Sequence, residues 1–547
     1  MRLLILGGVA AGTKAAARAR REYPDADVTI VTKDEYVAYA GCGLPYYVGG
    51  EISEAKELIV RTPEEFSQEN GITVLTRQEA VRIDPATHDV LVHDLANDMQ
   101  RQLSYDKLII ATGATPILPN IPGVNLARVT TARGLNDAKV IRESIDTGLA
   151  RNAVVIGGGF IGLEMAENLA HRGLAVSVVE LRSSILPGFD AEIAALVKNH
   201  LVEHGVQVFT GEGVTQILGK DGEVAGVETT ARTLDADLVV LSVGIRPNSE
   251  IAVAAGIATD HRGRILVDEY LQTNLPDIFA IGDCATVRNR ITGHDTYSPM
   301  GSTANKTGRL VVANLFERQE AFAGVQGTTI VRLFELNAAR TGLSTEEARS
   351  EGLDVETVLV PTPDRAHYYP GNRMIITKLI ADCNSHRLLG AQVVGEGVVD
   401  KPIDTLALGI ALGMTVEQLS GMDLAYAPPF ASALSSSIVA ANVMLNKFAG
   451  KVRGIAPNEL DMNDPDLQLV DVRTEPEHII AAIPGATNIP LQELDERYEE
   501  LDPSRPTVVI CKVGKRAYSG ALLLQRRGFR DVRILDGGMT AWPYETI

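Results

Sequence analysis

The chain opens on an apolar run, Arg2-Leu3-Leu4-Ile5-Leu6, which enters Gly7-Gly8-Val9-Ala10-Ala11-Gly12, then an alanine-rich stretch to Arg21 and a second apolar run at Val28-Thr29-Ile30-Val31. Strand, glycine turn, helix and strand in that order predict a βαβ unit. The pattern returns at Val154-Val155-Ile156, Gly157-Gly158-Gly159-Phe160-Ile161-Gly162, a helix, and a strand from Val176 to Val179 that ends in Glu180. Two more apolar runs end on glycine, Leu108-Ile109-Ile110-Ala111-Thr112-Gly113 and Asp277-Ile278-Phe279-Ala280-Ile281-Gly282-Asp283. Near the C-terminal end, Val509-Ile510-Cys511 reads as a strand entering a short cationic loop before a helix. Ala449 to Pro457 reads as a linker by composition.

At 547 residues the chain is too long for one core, and three or four domains are expected. A 45% hydrophobic and 5% aromatic content is ordinary for an α/β protein. The net charge of -19 repels nucleic acid and anionic membranes, so an anionic ligand must be drawn by local basic clusters. Four cysteines do not make a disulfide framework. Met1 runs straight into the first strand, and no uncharged stretch approaches membrane-spanning length. No signal peptide, no membrane partner and a cytoplasmic location are therefore expected. His200 and His204 share a helix face without a third ligand in view, so solvated histidines and no metal are expected.

Cys42 stands alone in Tyr39-Ala40-Gly41-Cys42-Gly43-Leu44-Pro45-Tyr46-Tyr47, with no second cysteine near enough for an internal dithiol. Its oxidised form must be a sulfenic acid, a persulfide or a mixed disulfide. A helix starting within Gly43 to Tyr47 would favour its thiolate. Around Cys511, the backbone N–H groups of the loop and the cations of Lys512, Lys515 and Arg516 favour a thiolate or an anionic persulfide. Cys284 reads as a small buried residue and Cys383 as part of a turn.

Of the two glycine turns the second is the stronger dinucleotide signal, because Glu180 sits where an acid hydrogen-bonds a ribose 2′-OH. Glu180 favours NADH, while Arg182 keeps NADPH possible. In the first turn Val9 takes the place of the middle glycine and Thr32 that of the acid.

The four glycine-bearing segments in this order resemble the pyridine nucleotide-disulfide oxidoreductases over residues 1 to about 445. The resemblance implies FAD held around Gly7, Gly12, Thr32, Thr112, Gly113 and Asp283, and NADH around Gly157, Gly159, Gly162, Glu180 and Gly244. The Cys42 segment is similar to the single-cysteine branch, which holds coenzyme A disulfide reductases, NADH oxidases and NADH peroxidases. Ala38 and Tyr39 replace the usual serine and phenylalanine of that branch. Its oxidases and peroxidases carry a histidine in the first glycine loop. Ala10 stands there instead, and a methyl group exchanges no proton with peroxide.

His367-Tyr368-Tyr369-Pro370-Gly371 and Ala425-Tyr426-Ala427-Pro428-Pro429 resemble tyrosine segments that, in the coenzyme A branch, reach the redox cysteine from the other subunit. This implies a homodimer with a shared active site, in which Tyr368 and Tyr426 are catalytic and Tyr39 and Tyr369 contact substrate. Lys14, Arg18 and Arg21 fall at i, i+4 and i+7 of the first helix, and the resemblance implies that they meet coenzyme A phosphates. Residues 459–547 resemble a rhodanese domain, through Leu469 to Arg473, Ile483 to Pro490, the Cys511 loop and Asp536 to Trp542.

The expected architecture is α/β throughout. It comprises an FAD domain (1–117 and 250–325), an inserted NAD(P)H domain (118–249), a dimerisation domain (326–446), a linker (447–458) and a rhodanese domain (459–547). The expected activity is FAD-dependent, NAD(P)H-driven reduction of coenzyme A disulfide, persulfide or polysulfide, beside a sulfurtransferase. An NADH oxidase or peroxidase with a docking module is the alternative.

Overall fold

Both glycine turns become what their patterns predict, because each is flanked by apolar strands that bury on both faces. The computed structural model describes residues 1–547. The chain divides into two compact units, one of Met1–Leu181 with Glu212–Val325, the other of Arg182–Gly211 with Gln326–Ile547.

In the first unit, β1 (Arg2–Leu6), α1 (Ala10–Glu22), β2 (Asp27–Val31), β3 (Thr73–Leu75) and β4 (Lys107–Ile110) build a parallel sheet. The nearby helix α2 (Leu44–Gly49) follows a 3₁₀ turn at Gly41–Gly43. The second βαβ unit uses β5 (Val129–Thr131), β6 (Asn152–Ile156), α3 (Phe160–His171), β7 (Ala175–Glu180) and β8 (Leu238–Leu241). Its parallel strands lie side by side in the order β7, β6, β8, β5. The chain then returns to the first sheet with β9 (Ile278–Ala280), giving the order β9, β4, β1, β2, β3. Alanines 11, 15, 16 and 19 of α1 pack against Leu3, Ile5, Val28 and Ile30.

The second unit begins with α4 (Ala191–Glu203). An antiparallel sheet follows, of β10 (Thr329–Leu333), β11 (Leu336–Gly342), β12 (Val355–Pro363), β13 (Met374–Asp382) and β14 (Leu388–Gly395), ordered β10, β11, β14, β13, β12. Helices α5 (Asp400–Ala411) and α6 (Ser436–Phe448) follow it. The last sheet is parallel, ordered β15 (Arg453–Ile455), β19 (Val532–Leu535), β18 (Thr507–Ile510), β16 (Gln468–Asp471), β17 (Thr487–Asn488). Helices α7 (Glu475–Ile480) and α8 (Lys515–Arg526) belong to the same region.

One expected boundary changes. Residues 447–458 are not a slack linker, because Arg453–Ile455 is an edge strand of the last sheet, and the Lys447 ammonium is buried against Asp536 at 2.7 Å and Glu356 at 3.2 Å. No helix is long and apolar enough to cross a membrane.

Candidate active sites

The first glycine turn is a backbone cradle. Gly7 has φ +119°, and a Cβ there would collide with the Ala111 carbonyl, while one on Gly12 would collide with the Gly7 carbonyl. Only glycine lets β1, β4 and α1 approach this closely, as a pyrophosphate seat at a helix start requires. Thr32 is buried at the end of β2, and its methyl closes on the space a Cβ at Gly8 would need. The Thr112 hydroxyl donates to the Asn248 carbonyl at 2.6 Å, and the Asn248 amide donates to the Thr112 carbonyl at 2.9 Å. Asn248 therefore fixes the Thr112-Gly113 turn, a role invisible in the sequence because the two segments are far apart along the chain.

Asp283 lies in the 3₁₀ turn Gly282–Cys284 that follows β9. Burial holds its carboxyl above the ordinary carboxylate range, with Arg133 opposing. Arg133 was not anticipated; it also acts on Tyr39 and Tyr297. Tyr297 donates to the Asp283 carbonyl at 2.7 Å. Cys284 is fully buried, as expected. The donor set of tight glycines, a half-buried carboxyl and a neighbouring guanidinium suits FAD.

The second cradle repeats this geometry. Gly157 (φ +111°) faces the Ser242 carbonyl and Gly162 the Gly157 carbonyl, with no room for a Cβ at either, whereas Gly159 faces open space. Gly244 has φ +117°. Glu180 ends β7 and accepts from the Gly158 N–H at 2.7 Å, so its carboxylate is held at the glycine turn, where an adenosine ribose would meet it. These residues fit NAD(P)H.

Cys42 sits in the 3₁₀ turn ahead of α2. Its loop is tied to the first cradle, for Ala38 N–H donates to the Gly8 carbonyl at 3.1 Å and Ala40 N–H to the Leu58 carbonyl at 2.8 Å. Helix α2 packs on α3 of the second cradle, where the Tyr46 hydroxyl donates to Glu164 at 3.3 Å. The cysteine therefore stands between the two nucleotide cradles of this unit. Its thiol is exposed, yet the surrounding protein, and then the carboxylates of Glu164 and Asp283, hold it above the ordinary cysteine value. The helix start expected within Gly43 to Tyr47 is present at Leu44. The helix has only 6 residues and begins two positions after the cysteine, while the acidic groups act against the thiolate.

The basic face of α1 also differs from expectation. Arg18 is 9% exposed, bonded to Glu22 and to the Arg309 carbonyl, whereas Lys14 and Arg21 are exposed. Arg18 is thereby occupied inside its own chain, and only the outer two remain open to an anion. In the second unit Tyr368 and Tyr426 are both exposed, and a hydrogen bond with Tyr426 raises Tyr368 above the ordinary phenol value. Tyr369 is half-buried, its N–H donating to the Ala366 carbonyl at 2.8 Å.

Cys511 ends β18 in a turn built around its sulfur. The Gly514 N–H donates to the Cys511 Sγ at 3.1 Å, and Gly514 adopts φ +95° before α8 begins. From the other side, Met539 N–H donates to the Cys511 carbonyl at 2.9 Å and Thr540 N–H to that of Lys512 at 3.0 Å. Cys511 is 1% exposed. Of the three expected cations, Lys512 and Lys515 are exposed, but Arg516 is clamped by Glu477 through two bonds of 2.7 Å, so it braces α7 rather than offering a free charge. That clamp holds Glu477 at about 2. Asp471 and Arg473, both buried, form a hydrogen-bonded network with the half-buried His478.

Two dinucleotide cradles define a flavin- and nicotinamide-dependent oxidoreductase, with Cys42 between them and Cys511 in a separate turn of the last sheet. Residues 1–305 match the pyridine nucleotide-disulphide oxidoreductase family, residues 328–438 its dimerisation domain, and residues 458–544 the rhodanese-like domain. A persulfide reductase described as NAD-dependent, from A. fulgidus, superposes with a TM-score of 0.94 at 41% identity, covering 99% of this chain and 100% of that one. The reduced Bacillus anthracis CoADR-RHD superposes with a TM-score of 0.92 at 34% identity, covering 99% and 97%. The NAD(P)H coenzyme A polysulfide/persulfide reductase of Pyrococcus horikoshii is 37% identical over 81% of this chain and 98% of its own length. The chain belongs to the pyridine nucleotide-disulphide oxidoreductase family. It is a flavin-dependent NAD(P)H oxidoreductase of the persulfide and coenzyme A disulfide reductase type with a C-terminal rhodanese domain.

Proposed function

We propose that the protein reduces coenzyme A persulfide, and related disulfides or polysulfides, with NADH as the preferred donor, and that Cys42 is the reacting thiol. The observation that carries this reading is a solitary, exposed cysteine held by backbone bonds beside the first glycine cradle and through α2 against the second. Cys42 thiolate attacks the sulfane sulfur of the persulfide, forming Cys42–S–SH and expelling the carrier thiol. Two electrons from NAD(P)H, with a proton from solvent, then return Cys42 to its thiolate and release hydrogen sulfide. When bound, FAD supplies the route for that electron pair. Because burial, and then the carboxylates of Glu164 and Asp283, raise the Cys42 thiol, the chain favours the protonated form until a ligand changes the local charge.

Several features support a shared-site homodimer. The dimerisation domain is present, and the second unit exposes Leu408, Leu412, Phe430 and Leu434 as well as Tyr368 and Tyr426. Tyr426 or Tyr368 would then give a proton to the departing thiol. Lys14 and Arg21 remain open to the phosphates of coenzyme A, and Cys511 would load sulfane sulfur onto the carrier.

The test is anaerobic NADH oxidation against coenzyme A disulfide, coenzyme A persulfide, glutathione persulfide and polysulfide. Cys42→Ser should keep its FAD and its bleaching by NADH, yet lose turnover with every acceptor. Unchanged acceptor turnover would sink the proposal. Rapid NADH-driven oxygen uptake that survives in the absence of sulfur acceptors would favour an oxidase instead.

A further inference from the structure

The histidines of α4 are not the solvated pair that the sequence suggests. His200 and His204 lie one turn apart, and the fold brings a third ligand to them from a distant hairpin. Leu333 and Leu336 pair across the turn between β10 and β11, leaving Phe334 and Glu335 as the two turn residues. Phe334 takes φ +55°, a left-handed conformation uncommon for a bulky side chain, and stacks its ring on His204 with centroids 4.3 Å apart and planes at 17°. This turn delivers Glu335 to the histidines. Its Oε2 lies 3.0 Å from His204 Nε2 and 4.0 Å from His200 Nε2.

The donor chemistry is that of a metal site. The His204 Nδ1 lies 2.8 Å from the His200 carbonyl, which makes that nitrogen the N–H donor and turns Nε2 toward the cluster. His200 is 8% exposed, and its Nε2 has no hydrogen-bond partner. A buried, unpaired ring nitrogen is costly unless something occupies it. Glu203 and Glu396 add negative potential, and His204 caps the negative end of α4.

We infer that His200, His204 and Glu335 form a divalent transition-metal site of the His2Glu type, with Zn2+ the best-matched probe and an open position for water. The three ligand atoms lie within 4.8 Å of one another. Tetrahedral coordination at bond lengths of about 2.0–2.1 Å needs them roughly 3.3 Å apart, a closure that rotation of the exposed Glu335 and His204 side chains supplies. Two imidazoles and one carboxylate, without sulfur, favour zinc over calcium or magnesium. Occupancy would cross-link α4 to the β10–β11 hairpin.

The test uses the full FAD-containing chain carrying Cys42→Ser and Cys511→Ser, so that the two reactive thiols do not compete. Calorimetric titration with ZnSO4 should show one saturable equivalent that is lost in His204→Ala and weakened at least tenfold in Glu335→Gln. X-ray absorption at the zinc edge should show a nitrogen and oxygen shell with two imidazoles. Both substituted positions are exposed, so circular dichroism and FAD content should be unchanged. Equal zinc stoichiometry and affinity in the parent and both variants, or sulfur in the zinc shell, would overturn the assignment. In that case the cluster is a histidine–carboxylate ion pair.

Discussion

Lys447 offers a quantitative test of how the second unit holds the Cys511 turn. Its ammonium, 3% exposed in the side chain, donates to Asp536 at 2.7 Å and to the Thr357 carbonyl at 2.6 Å. Burial alone would lower its pKa, but the charges of Asp536 and Glu356 hold it above the ordinary lysine value. Asp536 opens the segment Asp536 to Thr540, and the Met539 and Thr540 N–H groups at the end of that segment bond the carbonyls of Cys511 and Lys512. Lys447→Met should strand a buried carboxylate, at a cost of about 3–5 kcal/mol. The unpaired Thr357 carbonyl adds roughly 1 kcal/mol. Trp542, the only tryptophan of the chain, is 8% exposed beside this segment and reports its unfolding by fluorescence during denaturant titration. Lys447→Met should move the tryptophan transition to lower denaturant and reduce sulfur transfer, leaving NADH bleaching of the flavin intact. Lys447→Met with Asp536→Asn should recover most of the loss, because no unpaired charge is left buried. A single variant within about 1 kcal/mol of the parent, or a double variant no better than the single, would refute the argument.

Two shorter predictions test the other sites. In Gly162→Ala the added methyl would meet the Gly157 carbonyl, which is backbone and cannot swing away. Stopped-flow reduction by NADH should slow at least about tenfold while FAD content holds, and an unchanged rate would count against the second cradle as the nicotinamide site. For the Arg516–Glu477 clamp, the folded carboxyl lies at about 2 against an ordinary 4.5, a depressed value. Its contribution is therefore present above about pH 4.5 and lost as pH falls toward 2. The pair's side chains are 31% and 32% exposed, so screening reduces the nominal ~3 kcal/mol to about 1 kcal/mol. Arg516→Met should be less stable at pH 7 by that amount, with the gap closing through this acid range. A gap independent of pH would place the effect elsewhere.

The sequence by itself determined the parts written in neighbouring residues. Gly12 and Gly162 could be read directly, because a Cβ on either would meet the carbonyl of Gly7 or Gly157 five positions earlier, while Gly7 and Gly157 are also held to glycine by the remote Ala111 and Ser242 carbonyls. The Cys511 turn was legible for the same reason, since Gly514 supplies both its backbone conformation and the N–H at the sulfur. Only the tertiary structure decided what depends on partners from remote segments. Helical spacing placed Arg18 with Lys14 and Arg21 on one face, but the Arg309 carbonyl and Glu320 take up its guanidinium. Charge counting made Arg516 a third cation for the Cys511 sulfur until Glu477 arrived from α7. Composition made residues 447–458 a linker, although Arg453–Ile455 pairs with a strand almost at the far end of the chain. His200 and His204 lacked a third ligand until the β10–β11 hairpin brought Glu335 beside them. In each case a local pattern specifies a conformation, whereas the fate of a charge depends on which other charges the fold brings within about 4 Å, where the Coulomb term and hydrogen bonding outweigh any helical propensity.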